Sequence, residues 1–258
     1  MGKVYLVGAG PGDPELLTLR AARLLQQADV VLHDALVSPE VLALIVRAKV
    51  IDVGKRCGTK LLTQQEINSL LIAYAAQHNV VVRLKGGDPT IFGRAAEEIE
   101  SLVEAGIAYE IVPGISSALA AAAAAGISLT NRRFASSIVF TTAHRGVDSE
   151  ATAWDRLVSS HSTLAIYMPG NSYRGLARQL RDAGLSPPTP CAVVSHAGRP
   201  TQQVCWCDLS SLEQAEPLAA PTLLIVGECA NPMHIAESCM SDQSHVDQPK
   251  TETLARQV

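Results

Sequence analysis

The sequence predicts an α/β fold of two domains, a mostly parallel sheet in the N-terminal half and a mixed sheet in the C-terminal half, with a small-molecule site between strand ends. Three observations carry that reading. Over the first 112 residues, short β-branched runs alternate with helix-length amphipathic segments, the pattern of parallel strands joined by right-handed crossovers. In the second half several strand-like runs follow one another with little helix between them, which parallel pairing alone does not allow. Two Gly- and Pro-rich loops, at residues 8–13 and 86–89, each follow a strand directly, where open α/β sheets bind ligands.

The elements follow in order. Residues 3–8 form a short apolar strand. Asp13 suits a helix N-cap and Pro14 the first helical position; Leu17, Ala21, Leu24, Leu25 and Ala28 then recur on one helical face. Residues 30–33 read as a strand, Ser38-Pro39 opens another helix, and residues 50–53 are a third strand. Thr63-Gln64-Gln65-Glu66 is a capping box ahead of a helix running to about residue 77. The strand at 80–84 begins with Val80, Val81 and Val82 and leads into two glycines, an Asp and a Pro; a helix over 95–104 follows. Val112-Pro113-Gly114 marks a boundary between a domain of residues 1–112 and one of residues 113–232. The second opens on an Ala-rich helix over 115–125 that must pack closely against a neighbour. Its strands are expected at 137–141, 164–167, 191–195, 203–207 and 222–226. From about Met233 the composition turns polar and aperiodic, so residues 233–258 are expected to be a disordered tail.

Bulk composition narrows the function. The 258 residues are 47% hydrophobic and 18% charged, enough apolar content for a sizeable core. A net charge of -4, from 21 Lys plus Arg against 25 Asp plus Glu, argues against a nucleic-acid partner. An anionic ligand must therefore meet a local cluster of cations. Of the six cysteines, Cys205 and Cys207 form a lone CxC with no second pair, so no zinc site is expected and the thiols read as reduced and structural. No signal peptide fits the N-terminus, and the longest apolar stretch, residues 118–125, is too short to span a bilayer. These features point to the cytoplasm, with no membrane partner.

The two loops carry the chemistry. Gly86 and Gly87 lack Cβ atoms, so the backbone there can come within contact distance of a small molecule. Gly8-Ala9-Gly10-Pro11-Gly12-Asp13 stands where a dinucleotide fingerprint would, and Asp34 ends the next strand where a ribose-binding acid would. The detail does not fit a pyrophosphate: the third glycine is replaced by Asp13, and Pro11 removes a backbone donor. A ligand without phosphate is the better reading. Lys55, Arg56, Arg94, Arg132 and Arg133 all lie beside strand ends or glycine turns, where guanidinium groups can grip carboxylates bidentately. Glu97, three residues after Arg94, shares its helix face and can orient it or take part in proton removal.

Six segments, GAGPGDPELLTLRA, DALVS, VGKR with a following QQEIN, VVRLKGGDPTIFGR, VPGISSA and GISLTNR, resemble in order and spacing the motif set of the tetrapyrrole methyltransferase family, from residue 3 to about residue 230. Within it the likeness is to members that methylate uroporphyrinogen III. The resemblance implies two α/β domains enclosing S-adenosyl-L-methionine as co-substrate, S-adenosyl-L-homocysteine as product, and two C-methylations leading to precorrin-2. It places Pro11, Gly86, Gly87, Asp88, Ile91, Ser116 and Ser117 on the donor pocket, with Met168 and Ala197 supplied by the second domain. Asp34 and Lys55 fall at positions credited with acid/base roles, and Arg94 and Arg132 at motif positions suited to the substrate's carboxylates. Homodimers are common in the family, and two-fold pairing is the usual soluble assembly.

The chain departs from the family pattern in places. Ala95 and Ala96 replace two glycines, which favours helix; Asn131 and Lys60 stand where His is common. Three other readings remain: a methyltransferase acting on a later corrin intermediate, an NAD-binding oxidoreductase suggested by Gly8, Gly10 and Asp34, and a catalytically idle protein that keeps the donor fold.

Overall fold

A computed structural model describes residues 2–54, 62–143 and 152–232. Lys55, Arg56, Lys60 and the expected tail from Met233 lie outside the described residues. The first sheet is five-stranded and wholly parallel, built from β1 (Lys3–Gly8), β2 (Val30–His33), β3 (Lys49–Asp52), β4 (Val80–Lys85) and β5 (Ala108–Val112) in the spatial order β3-β2-β4-β1-β5. Helices α1 (Leu19–Gln27), α2 (Pro39–Leu42), α3 (Gln64–Ala75) and α4 (Ala95–Glu104) make the crossovers. Their apolar stripes bury Leu24, Leu25, Leu71 and Leu102 on the two faces of β1 and β4.

The second sheet is mixed, as its crowded strands predict. It contains β6 (Ser137–Thr142), β7 (Ser162–Tyr167), β8 (Pro190–Ser195), β9 (Gln203–Asp208) and β10 (Thr222–Val226) in the order β6-β7-β10-β8-β9. β6 and β7 run parallel, while β10 pairs antiparallel with both β7 and β8, and β9 antiparallel with β8. The Ala-rich α5 (Ser117–Ala124) lies on one face, where Ala118, Ala121 and Ala122 meet Ala165, Ala192 and Ile225; side chains this small let the helix approach closely. On the other face, α6 (Trp154–Leu157), α7 (Tyr173–Asp182) and α8 (Leu209–Leu212) bury Trp154, Tyr173, Leu180 and Leu212.

Local chemistry explains where elements start. The Thr63 capping box forms as expected, with Thr63 N–H donating to Glu66 at 2.7 Å and Glu66 N–H to Thr63 Oγ1 at 3.2 Å. Two expectations need correction. The helix assigned to Asp13-Pro14 stops after one 3₁₀ turn, Pro14–Leu16, because Leu17 and Thr18 return to extended backbone; Thr18 then accepts from Ala21 N–H at 3.1 Å and starts α1. The segment 108–112, given no strand from sequence, is β5, an edge strand whose Glu110 is held by Lys3 at 2.8 Å and by Arg20. Half-exposed and carrying a charge at its centre, it lacks the continuous apolar run of the buried strands.

Candidate functional site

The parallel strands of the first sheet end together, since Gly8 is in register with Lys85 and His33 with Leu84. Their loops cross at one point. Gly10 and Gly87 form a two-residue antiparallel bridge, Gly87 N–H donating to Gly10 O at 2.8 Å and Gly10 N–H to Gly87 O at 3.2 Å. At Gly114 a Cβ would stand 2.3 Å from Gly87 O, and at Gly8 it would stand 2.6 Å from Gly114 Cα, so main chain packs directly on main chain. Asp88 ties the crossing together: one carboxylate oxygen accepts from Gly114 N–H at 3.0 Å, the other from Thr90 N–H at 2.8 Å. Gly87 is different. A Cβ there would meet nothing nearer than Ser117 N at 3.8 Å, and what reserves the position for glycine is φ of +70°.

Beyond the crossing lies a cleft. Its near wall is main chain and small side chains, at Gly10, Pro11, Gly86, Gly87 and Asp88, with Ile91 beside them. The far wall comes from the second half of the chain: Ser116 and Ser117 at the start of α5, Tyr167 and Met168 at the end of β7, and Arg199 in the β8–β9 loop. Ser116 and Tyr167 hydroxyls are 2.5 Å apart, and burial raises the Tyr167 pKa although that hydrogen bond works against it. Phe92 packs against Tyr167 with the rings tilted by 56° and their centroids 4.8 Å apart. Phe92, Arg94, Met168 and His196 all have positive φ; the first three line this cleft or the adjoining basin, where such backbone strain concentrates in functional sites. Arg199 reaches across, donating from Nε to Pro11 O at 3.4 Å and through its terminal nitrogen to Leu36 O.

The cleft opens into a charged basin. Asp34, Leu36, Phe92 and Gly93 line both spaces, and the basin adds Gln64, Arg83, Lys85 and Arg94. Beneath Asp34 the charges are buried. Arg83 donates to Asp34 from a terminal nitrogen and from Nε to Glu98 Oε1 at 2.9 Å; Lys85 Nζ reaches both Glu98 oxygens at 3.0 and 2.9 Å. Glu98 is 0% exposed and Asp34 30%. Burial acts to lower the Arg83 pKa, yet the Asp34 and Glu98 carboxylates outweigh it and raise it; for Lys85, burial and then the Arg83 charge win, and its pKa falls. At the rim, Arg94 and Glu97 form a bidentate pair, 2.7 Å at both contacts, on the exposed first turn of α4. A separate hollow with Ser159, Ser160, Ser162 and Thr189 on its wall lies at the opposite strand ends, away from the glycines.

The structure thus brings together Pro11, Gly86, Gly87, Asp88, Ile91, Ser116, Ser117 and Met168 on one cleft, with Asp34 at its junction with the basin and Arg94 and Glu97 on the basin's rim. Two expected residues stand apart. Ala197 packs against the core beneath α5 instead of lining the cleft. Arg132 is exposed in the loop after α5 and lines neither space. Nearby, Asn131 accepts from Arg133 N–H at 2.8 Å and so holds a turn. Phe92, Tyr167, Arg199, Arg83, Lys85 and Glu98 are site residues that the motifs do not single out. For Arg83 and Lys85 a signal existed: two cations interrupt an apolar run that a buried parallel strand should keep continuous. The described cysteines Cys191, Cys205, Cys207 and Cys229 are unpaired, and no cluster among the described residues has the donors to hold a metal. Nor is any described helix long and apolar enough to cross a membrane.

A parallel sheet and a mixed sheet supply the two walls of a cleft of main chain and small side chains that opens into a charged basin, the form of a small-molecule site between lobes. The chain matches the family model of Tetrapyrrole (Corrin/Porphyrin) Methylases over residues 3–213, and it belongs to that family. That family is one of methylases. A siroheme synthase of Psychrobacter sp. (strain PRwf-1) is 50% identical over 234 residues, 89% of this chain and 48% of that protein. One from Psychromonas ingrahamii is 49% identical over 232 residues, 89% of this chain and 49% of its own length. The chain therefore spans about half the length of these relatives. Among solved structures, uroporphyrin-III C-methyl transferase from Thermus thermophilus complexed with S-adenyl homocysteine matches with a TM-score of 0.79 at 37% identity, covering 90% of this chain and 94% of that one. Cobalt precorrin-4 methyltransferase, CbiF, matches with a TM-score of 0.78 at 30% identity, over 89% and 96% of the two chains.

Proposed function

We propose that the chain methylates uroporphyrinogen III at C2 and then C7, giving precorrin-1 and precorrin-2 for sirohaem, cobalamin or haem d1 synthesis. The carrying observation is the continuity of the bare main-chain cleft with the basin of Arg83, Lys85 and Arg94, joined at Asp34. Likeness to the Thermus thermophilus enzyme supports the substrate, and the siroheme synthases among the relatives favour sirohaem. Residues 1–112 and 113–232 form the two lobes, and the working species is a cytoplasmic homodimer.

The donor supplies an electrophilic methyl group on a sulfonium and carries no phosphate. Pro11, Gly86, Gly87, Asp88 and Ile91 hold it from the first lobe, and Ser116, Ser117 and Met168 from the second; Ala197 lends support from behind. Each transfer forms a carbon–carbon bond at an electron-rich pyrrole carbon while the sulfur–methyl bond breaks. Sulfur keeps the electron pair, and the ring later loses a proton. The protein's work is to align the reacting atoms and receive that proton. Asp34, at the junction of the two spaces, is the acceptor or the group that orients the ring; Lys55 takes its acid/base role from the family position. Arg94, aimed by Glu97, meets the substrate's carboxylate arms; Arg132, outside both spaces, keeps that role only from its family position.

Calorimetry with S-adenosyl-L-homocysteine and with NAD, followed by turnover of uroporphyrinogen III read from the absorbance of the oxidised product, tests this reading. Binding of the first ligand only, together with a dimethylated product, is the expected result. Binding without turnover of this substrate would remove the assignment of uroporphyrinogen III.

A further inference from the structure

We infer that Glu98 is a positioning residue of the cleft, fixing through Arg83 the place at which the Asp34 carboxylate stands. The inference rests on the proposal that Asp34 faces the reacting ring. Arg83 is planar, and three of its directions are taken. Nε is committed to Glu98 Oε1 at 2.9 Å, and one terminal nitrogen is shared between Leu32 O and Leu84 O at 3.4 Å each. With those held, the remaining terminal nitrogen can point in one direction only, and Asp34 is there.

Glu98 is itself aimed. Lys85 Nζ grips both of its oxygens, and Gln64 Nε2 from α3 approaches Oε1 at 3.4 Å. The carboxylate therefore cannot turn without losing contacts to β4 and α3 together. Two acids and two bases give the quartet no net charge, so it survives burial; of the four, only Asp34 is substantially exposed. Replacing such a buried group by apolar residues often leaves stability unchanged or higher, so what the arrangement supplies here is position.

Glu98→Gln alone leaves two buried cations facing one carboxylate, and loss of fold in that variant has an obvious electrostatic cause. The decisive protein is the double variant Lys85→Met/Glu98→Gln, which removes one charge of each sign and leaves Arg83 paired with Asp34. The expected result is a folded protein with S-adenosyl-L-homocysteine affinity within about twofold of wild type, an unchanged KM for the donor and a kcat lowered about tenfold or more, the scale on which loss of an outer hydrogen-bond partner acts at metal ligands. Wild-type protein in the same assay separates failure of the substrate assignment from failure of this inference. A double variant with wild-type kcat overturns it. So does one whose donor affinity falls in step with kcat, or one that does not fold, since the quartet would then shape the pocket or hold the fold.

Discussion

The two sheets face the same cleft with opposite interiors. β4, central in the first sheet, carries Arg83 and Lys85 into a core closed by Glu98 from α4. The central strand of the second, β10, buries Leu223, Leu224, Ile225 and Val226, and its neighbours' buried polar groups are hydroxyls and thiols such as Thr163, Ser195 and Cys191. Ser195 Oγ, for example, donates to Ala219 O. Charge is thus buried on the side that reaches Asp34, while the other side shapes and covers. A buried charge is costly unless partnered, so its confinement to one sheet marks where placement of a charged group matters.

That contrast can be broken in several ways, and the largest effect is expected at the glycine crossing. Gly114→Ala puts a Cβ 2.3 Å from Gly87 O, with backbone as the obstacle, and should cost several kcal/mol, about 3 or more; a melting curve like that of wild type would show that the loops can part. Arg94→Ala should lower turnover about a hundredfold, near the 3 kcal/mol of a charge-assisted contact, with donor affinity kept. Equal losses of both would move Arg94 from the basin to the donor. Gly87→Val should weaken donor binding about tenfold through strain of roughly 1–2 kcal/mol at φ of +70°; undiminished affinity in calorimetry would place the donor elsewhere. Tyr167→Phe, on the covering side, should cost only about 1 kcal/mol in denaturant unfolding through the lost Ser116 contact. A collapse in kcat with little change in stability would give that wall a chemical role.

The smallest expected effect is a pH dependence at the rim. The hydrogen bond from Arg94 holds the Glu97 pKa below the ordinary 4.5. Its stabilisation is therefore present above the unfolded value and fades as pH falls through the lowered folded one. At 47% exposure this is worth less than about 1 kcal/mol. Acid unfolding of Arg94→Ala should lack that component, and an unchanged acid limb would mean that the pair is too well solvated to matter.

Much of this was legible because the local rules agree. The capping box at Thr63 and the valine run ending at Gly86 each have one good solution, and the structure adopts it. The 3₁₀ turn at Pro14 was not legible, since Asp13 and Thr18 are both good caps and only packing decides which one starts the long helix. Nor was β5, an edge strand specified by its Glu110 partners Lys3 and Arg20 far along the chain. At the site, loop glycines announce themselves through composition. Glu98 carries no signal in the sequence that separates it from Glu97 beside it; its burial follows from Arg83 and Lys85 on the strand beneath. Arg199 carries no periodic or motif signal; its importance lies in the backbone it touches.

Arg199 gives the mouth of the molecule a clasp. It grips carbonyl oxygens of Pro11 and Leu36, and Gly12 and Gly198 leave its side chain and Pro11 just enough room, with Cβ atoms there falling 2.8 and 2.7 Å from their neighbours. Drawing the halves apart along this line would break bonds to peptide oxygens and, among the described residues, no ion pair, so the fastening here is the directional grip of a guanidinium on main chain.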